Sequence, residues 1–241
     1  MKQHILTLSF DDGFIDSFTR AAAIYEKFGL SACLNVIATG HLIDPATIDE
    51  WHAGFPKGDF ALWNQLKARR HEVMPHGYRH ANKARMPFEE AKDLILKCLD
   101  VFSKNLDGFD AKQAVFNFPY NASTPEIEAW LPTVVGAFRT GGGALQPLPG
   151  PNTVKVTSGG SGPGNCEDHL DQCVKDLLAT ESGWVVYNTH GLDQEGWGPI
   201  RASYLEERLA AWTQIPSLAI LPTGAALWAS ASGAALPAPS Q

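Results

Sequence analysis

Apolar and polar positions along this chain form blocks with two different periods. Residues 5–10 are a short apolar run, which predicts a buried strand. Residues 88–106 place apolar side chains three and four positions apart, which predicts a helix with one buried face. Further strands are predicted at 32–37, 71–74, 114–120, 134–139, 184–189 and 218–222, and further helices at 14–28, 60–70, 124–131, 167–180 and 203–212. Strands and helices therefore alternate, which is typical of a parallel α/β sheet or barrel.

Polar residues follow several of the predicted strands. The carboxyl ends of parallel strands meet at one edge of such a fold, and sites are built there. The sequence therefore predicts one site assembled from four clusters: Asp11/Asp12, His76/His80, Asn117/Tyr120 and His190.

Two stretches lack a clear period. Residues 140–165 are rich in Gly and Pro and are predicted to be a long connection, and residues 229–241 read as a tail of small residues and Pro. No internal repeat or domain boundary is evident, so residues 1–228 are predicted to form a single domain. Trp51 and Trp63 are candidates either to wall a cleft or to pack in the core.

Composition narrows the class of protein. The chain has 241 residues, of which 44% are hydrophobic and 19% charged, as in an ordinary globular protein. A net charge of −7 without a cluster of Lys or Arg argues against a nucleic-acid partner. No apolar run is long enough for a membrane span, and the start does not resemble a signal peptide. We therefore expect a cytoplasmic protein with four reduced cysteines and no membrane partner, and the sequence leaves its oligomeric state open.

The first two clusters suggest a metal site. Adjacent carboxylates such as Asp11 and Asp12 repel each other, and a cation between or beside them relieves this repulsion. An Asp-Gly turn closing a hairpin is the alternative. One helical turn would bring His76 and His80 to the same side, and two imidazoles with one carboxylate suit zinc or another divalent ion.

These residues stand in motifs that resemble a known family. The segment Ser9-Phe10-Asp11-Asp12-Gly13 looks like the first motif of the NodB-type polysaccharide deacetylases, carbohydrate esterase family four. The segments 71–80, 118–120 and 185–190 resemble its second, third and last motifs. The order and spacing fit from about residue 5 to residue 222, nearly the whole chain. The resemblance implies a distorted (β/α) barrel that hydrolyses an N-acetyl or O-acetyl group on a sugar or polysaccharide.

The resemblance also implies a role for each matching residue. Asp11 would be the general base that takes a proton from the attacking water, and His190 would protonate the leaving group. The backbone N–H of Tyr120 would help to hold the oxyanion. The ligands of a divalent metal ion, most simply zinc, would be Asp12, His76 and His80.

One departure from the family pattern concerns an arginine. The arginine of the third motif, which orients the base, falls at Asn117 here. Arg139 or Arg79 could supply the missing charge to Asp11, although either could instead form a surface salt bridge. Asn117 and Arg139 are also candidates for substrate contact. Trp197 is predicted either to stack on a sugar ring or to pack within its own loop.

Three functions therefore compete. The first is a metal-dependent deacetylase acting on a free, nucleotide-linked or polymeric acetylated sugar. The second is a metal-dependent amidohydrolase acting on a formamide or a cyclic amide. The third is a sugar-binding homologue without activity, which the retention of Asp11, the three metal ligands and His190 disfavours.

Overall fold

A computed structural model of the chain describes residues 2–42 and 54–231. Within those ranges the strands are β1 (Gln3–Phe10), β2 (Cys33–Val36), β3 (Glu72–Pro75), β4 (Val115–Asn117), β5 (Ala137–Gly141), β6 (Leu145–Gln146), β7 (Lys155–Ser158), β8 (Ser182–Thr189) and β9 (Leu218–Ile220). The helices are α1 (Ile15–Glu26), α2 (Phe60–Ala68), α3 (Phe88–Asn105), α4 (Pro125–Trp130), α5 (Cys166–Ala179), α6 (Ala202–Trp212) and α7 (Thr223–Ala231).

Strand β1 is the centre of the larger sheet, whose order is β3-β2-β1-β8-β6. Along one edge β1 pairs in parallel with β8 over its whole length. Two strands share its other edge, because β9 pairs with residues 4–6 and β2 pairs with Ser9 and Phe10. This central position explains why seven of the eight residues of β1 are buried: a parallel strand covered on both faces buries nearly every side chain.

A second, parallel sheet of order β4-β5-β7 completes the fold. Gly159, just after β7, forms a bridge with Tyr187 of β8 and so joins the two sheets on one side. On the other side the Asn117 amide donates to the carbonyl oxygen of Pro75 at 3.4 Å, although no backbone ladder forms there among the described residues. Strands β3, β2, β1 and β8 of the larger sheet and β7, β5 and β4 of the smaller one thus follow one another in this order. The predicted distorted (β/α) barrel fold is confirmed.

Helix α3 shows how the amphipathic helices cover the barrel. Its buried positions recur every three or four residues and are Ala91, Leu94, Ile95, Cys98, Leu99 and Phe102, the face that the sequence predicts. No helix within the described ranges has both the length and the apolar character needed to cross a membrane.

The structure differs from the predicted elements in several places. The strand predicted at 114–120 is β4, which ends at Asn117 and is followed by a 3-10 turn over Pro119–Asn121. The long connection predicted at 140–165 contains β6 and β7, two strands that the sequence analysis did not predict. Strand β5 begins at Ala137 rather than at 134, because a 3-10 turn over Leu131–Thr133, with Pro132 at its start, occupies the preceding residues.

Two further predictions fall partly outside the described residues. Trp63 is buried against Phe18, as the core alternative predicts, whereas Trp51 lies outside the described ranges. Helix α7 continues to Ala231, and 232–241 also lie outside them. The division into a domain at 1–228 and a tail at 229–241 stays a prediction.

Candidate active site

The four polar clusters lie where strands end. Asp11 and Asp12 follow β1, His76 follows β3, and His190 follows β8. The backbone of Asp12 is left-handed, with φ of 81°, and that of Gly13 is similar. This turn brings both aspartates to one side, so the two adjacent carboxylates do not close a hairpin. Non-glycine residues seldom adopt this conformation, and such strain is concentrated at functional sites.

Asp12 is the centre of a compact set of metal-ligand atoms. Its Oδ1 lies 3.4 Å from Nε2 of His76 and 3.2 Å from Nε2 of His80. The ligand atoms of the three residues all lie within 4.8 Å of one another. Among the described residues, this is the one group of three acidic, His or Cys side chains arranged in this way.

A loop, not a helical turn, brings the two histidines together. After β3 the chain bends through Gly77, with φ of 83°, and reaches His80, itself left-handed with φ of 51°. The two rings then lie 5.2 Å apart. The Nδ1 of His76 donates to the carbonyl oxygen of Asn117 at 3.1 Å, because a carbonyl can only accept. Its Nε2 therefore carries the lone pair and faces Asp12, which is the usual arrangement for a metal-binding histidine.

The geometry fits a divalent ion. Two ligands bound tetrahedrally to one zinc ion at about 2.0–2.1 Å lie roughly 3.4 Å apart. The observed separations from Asp12 Oδ1, 3.2 and 3.4 Å, agree with this value. Two imidazole nitrogens and a carboxylate oxygen form a donor set that leaves positions open for water and substrate.

Asp11 is buried and held by four hydrogen bonds. Its Oδ1 accepts from Asn35 Nδ2 at 2.8 Å and from Arg139 Nη1 at 3.0 Å. Its Oδ2 accepts from Arg139 Nη2 at 2.5 Å and from Asn188 Nδ2 at 2.6 Å. Burial, the largest single effect, raises the pKa of the Asp11 carboxyl, but the Arg139 guanidinium, His76 and His190 together outweigh it and hold the pKa below its usual 3.8. Asp11 is therefore ionised at neutral pH.

Arg139 supplies the charge that the family pattern would place at position 117. Asn117 of β4 and Arg139 of β5 are register partners on adjacent parallel strands, so both side chains point into the barrel. Arg139 has no exposed surface and is paired with Asp11. Arg79 is an exposed residue that lies 3.8 Å from Glu90, so the surface alternative holds for Arg79 alone.

Asn117 supports this arrangement from the neighbouring strand. It is fully buried, and its amide donates to Asn35 Oδ1 at 2.8 Å. Neither Asn117 nor Arg139 has exposed surface, and both side chains belong to the hydrogen-bond network around Asp11. The substrate contact predicted for both stays a prediction.

His190 lies beside the aspartates without an orienting hydrogen bond. Its Nδ1 is buried and has no hydrogen-bond partner among the described residues. Burial lowers the pKa of the imidazole below its usual 6.5, although Asp12 and Asp11 pull it upwards. Its ring packs edge-to-face against Trp197, with centroids 5.7 Å apart. His190 is thus held by packing rather than by a polar partner.

Two aromatic side chains border the site and remain exposed. Tyr120 has a left-handed backbone with φ of 59°, is 56% exposed, and its ring lies 4.6 Å from that of His80. Trp197 is 38% exposed. The roles predicted for the Tyr120 backbone N–H and for Trp197 stay predictions.

Sequence reasoning missed three polar residues around Asp11. Asn35 and Asn188 donate to it, and Ser9 accepts from Arg139 Nη1 at 2.6 Å. Each stands inside an otherwise apolar strand. A polar side chain there must find a buried partner, and this signal could have identified all three.

Comparison with known proteins relates the fold to deacetylases. No protein-family model and no curated protein matches the sequence. The structure is similar to a Mycobacterium smegmatis protein assigned as a polysaccharide deacetylase, with a TM-score of 0.71 and 12% identity over 100% of this chain and 94% of that one.

Two further solved structures are similar to the chain. The Xyl-CE4 domain of a multidomain xylanase from the hindgut metagenome of Trinervitermes trinervoides has a TM-score of 0.60 and 14% identity, covering 97% of this chain and 93% of that one. PuuE allantoinase has a TM-score of 0.62 and 10% identity, covering 95% of this chain and 91% of that one. At these identities the likeness concerns the fold, and the chain has the fold of the NodB-type polysaccharide deacetylases.

Proposed function

We propose that the protein is a metal-dependent hydrolase that removes an acetyl group, linked through nitrogen or oxygen, from a carbohydrate. One observation carries the proposal: the Asp12, His76 and His80 cluster lies beside Asp11 and His190 at one end of the barrel. The polysaccharide deacetylases among the structural neighbours support the same chemistry.

The three clustered residues would hold the metal, and zinc suits their donor set. A divalent ion bound there lowers the pKa of a bound water and polarises the acetyl carbonyl. The left-handed backbones at Asp12 and His80 support this assignment, because strain at two of the three ligands implies a function that repays it.

Asp11 and His190 would share the proton transfers. In the predicted division, ionised Asp11 accepts a proton from the attacking water and His190 gives one to the leaving amine or alkoxide. Because four donors already bind Asp11, uptake of a proton would require one of them, such as the Asn188 amide, to move away. Arg139 would keep Asp11 ionised and oriented until that step.

The exposed aromatic rings would bind the sugar. Trp197 lies next to His190, so a sugar ring stacked on its exposed face would bring a substituent towards the proposed acid. The backbone N–H of Tyr120 would stabilise the oxyanion.

A second candidate, hydrolysis of a cyclic amide, also has an observation in its favour. PuuE allantoinase matches the fold as well as the Xyl-CE4 domain does.

Release of acetate from a panel of acetylated sugars tests the proposal. The assay compares the metal-loaded protein with chelator-treated protein and with Asp11→Asn. We expect release that requires the metal and falls at least about 100-fold in Asp11→Asn, in line with the loss of a positioned proton-transfer group. Asp16→Asn, which changes an exposed carboxylate at the start of α1, is the matched control and should retain activity.

A protein that binds metal yet releases no acetate would contradict the deacetylase proposal. The same preparation would then be assayed on hydantoin-type rings and formamides, where ring opening or formate release would favour the second candidate.

A further inference from the structure

The proposed acid, His190, lacks the polar partner that usually orients a histidine. A histidine that transfers protons is commonly held by a hydrogen bond at its other ring nitrogen. Here Nδ1 is buried and has no such partner among the described residues. The nearby carboxylate of Asp193 is engaged elsewhere: it pairs with Arg20 at 2.7 Å and accepts from the N–H of Ala202 at 3.0 Å. The orientation of His190 must therefore come from packing.

The packing comes from two consecutive residues in the loop that follows His190. Gly196 lies against it so closely that an added Cβ would be 2.8 Å from His190 Cβ and 2.8 Å from the ring of Phe14. Trp197 contributes the ring that meets the imidazole edge-to-face. Contacts that hold Gly196 and Trp197 in place therefore also hold the His190 side chain in its orientation.

Glu195, the residue before them, is the anchor of this loop. Its side chain is buried, with 9% of the residue exposed, and its Oε2 accepts from the backbone N–H of Ser17 at 2.8 Å and from the Ser17 hydroxyl. The Ser17 hydroxyl in turn accepts from the N–H of Leu192 at 2.8 Å. Ser17 thus ties the loop to α1 at both Leu192 and Glu195.

Helix α1 needs this carboxylate. The first N–H groups of a helix have no partner within the helix, and a Ser, Thr, Asp or Asn at the N-cap normally supplies one. The N-cap of α1 is Phe14, whose side chain makes no such bond. A carboxylate is also favoured there by the helix dipole. Glu195 therefore caps, from a distant part of the chain, the helix that follows Asp11 and Asp12.

We propose that Glu195 is a positioning residue for His190. Its buried carboxylate locks Gly196 and Trp197 onto the start of α1, and these two residues hold the imidazole against the aspartates. The inference rests on the proposed function for the meaning of His190, but the contacts that carry it are independent of the substrate.

Asp193 offers a matched control within the same loop. It also reaches α1, through Arg20, but both partners of this pair are exposed, and such pairs contribute little. Asp193→Asn keeps an acceptor for Ala202 and tolerates the left-handed backbone of this position, with φ of 59°. It removes a carboxylate from the loop without touching the buried anchor.

The test uses Glu195→Gln, which keeps the volume of the side chain, with Ser17→Ala as a second variant. We expect kcat on the acetylated sugar to fall about tenfold or more in Glu195→Gln, part of the roughly 10²- to 10⁴-fold that a positioned proton donor contributes. KM should change less than kcat, and the metal should remain bound. The effects of Glu195→Gln and Ser17→Ala should not add, because the two side chains act through one contact. Asp193→Asn should keep wild-type kcat.

A second readout is independent of turnover. In ¹H–¹³C spectra of the metal-free protein, the ring resonance of His190, assigned with His190→Gln, should shift or broaden in Glu195→Gln and stay unchanged in Asp193→Asn. The resonances of His76 and His80 should stay unchanged in both. If Glu195→Gln lowers only the melting temperature and leaves the His190 resonance and kcat as in wild type, Glu195 is structural and the inference is overturned. Should the wild type release no acetate, the proposed function fails, whereas the spectra still decide the positioning role.

Discussion

The pair formed by Arg139 and Asp11 concentrates two opposite charges at one buried point. Removing both ions from water costs several kcal/mol each, and only close, multiple hydrogen bonds can offset that cost. Here the guanidinium binds both carboxylate oxygens and also donates to Ser9, while Asn35 and Asn188 fill the remaining positions. Removal of either charge should therefore lower the free energy of unfolding.

Arg139→Asn should therefore destabilise the protein strongly. It leaves the Asp11 carboxylate buried without its counter-charge, which typically costs about 3–5 kcal/mol in free energy of unfolding. Urea denaturation of the metal-free protein measures the effect. Because Arg139 is the largest of the groups that lower the pKa of Asp11, this pKa should also rise in the variant.

The double variant Asn117→Arg with Arg139→Asn tests whether an arginine on β4 can pair with Asp11 as well as one on β5 does. Positions 117 and 139 face each other in register, so the exchange conserves volume and charge. We expect the double variant to regain much of the stability that Arg139→Asn loses. A double variant that is no more stable than Arg139→Asn would show that only β5 can present the guanidinium.

Among the elements, the loop after β3 is built around an unusual side chain. Lys83 is fully buried beneath this loop, and its Nζ donates to the carbonyl oxygen of Ala81 at 2.9 Å. Burial lowers the pKa of Lys83 from 10.5 to about 8. The loop that carries His80 therefore encloses a partly desolvated ammonium group.

Because of this lysine, the free energy of unfolding should vary with pH in the alkaline range. Between pH 8 and 10.5 the unfolded chain keeps the Lys83 proton and the folded chain has lost it. The unfolded state then binds more protons, so the free energy of unfolding rises with pH, by at most about 1.4 kcal/mol per unit. Lys83→Met should remove this rise in urea titrations across the window. Lys97→Met, at an exposed lysine, should keep it, and an unaltered rise in Lys83→Met would refute the assignment.

The elements that are easiest to predict from the sequence are strands buried on both faces and helices with one buried face. The largely apolar cores of β1 and β8 and the single buried face of α3 were predicted, because burial on both faces leaves an apolar run and burial of one helix face leaves a clear period. Strands β6 and β7 were missed because they are short and bury at most alternate positions.

The candidate site was predictable to the extent that its residues are close in sequence. The aspartates, the two histidines and His190 stand in recognisable motifs. The partner of Asp11 could not be chosen between Arg139 and Arg79, since that choice depends on which residues of β4 and β5 are in register. Register is set by tertiary packing and is not written in the spacing of either strand.

At the scale of the whole molecule, the proposed metal ligands Asp12, His76 and His80 come from distant parts of the chain. Asp12 comes from the end of β1, and the histidines come from the loop beyond β3. An ion that binds only the folded arrangement must stabilise it, and at one hundred times its dissociation constant the gain is about 2.7 kcal/mol.

Removal of the ion should therefore lower the melting temperature. Thermal unfolding with zinc and with excess chelator measures the difference. We expect the shift to disappear in His80→Ala and to persist in Asp16→Asn, which lies outside the cluster. A shift of the same size in His80→Ala would mean that zinc binds elsewhere.

The register of β4 and β5 also bears on how relatives of this chain are to be found. Positions 117 and 139 are remote along the chain but adjacent in space, so Arg139 places a positive charge beside Asp11 although position 117, where the motif that this chain resembles has an arginine, is an asparagine. A search that compares residues position by position would score the asparagine at position 117 as a mismatch to that motif. A structure-based search for any arginine that contacts the carboxylate after the first strand would find Arg139. Sequences set aside as degenerate for lacking this arginine are therefore worth re-examining for one on the next strand.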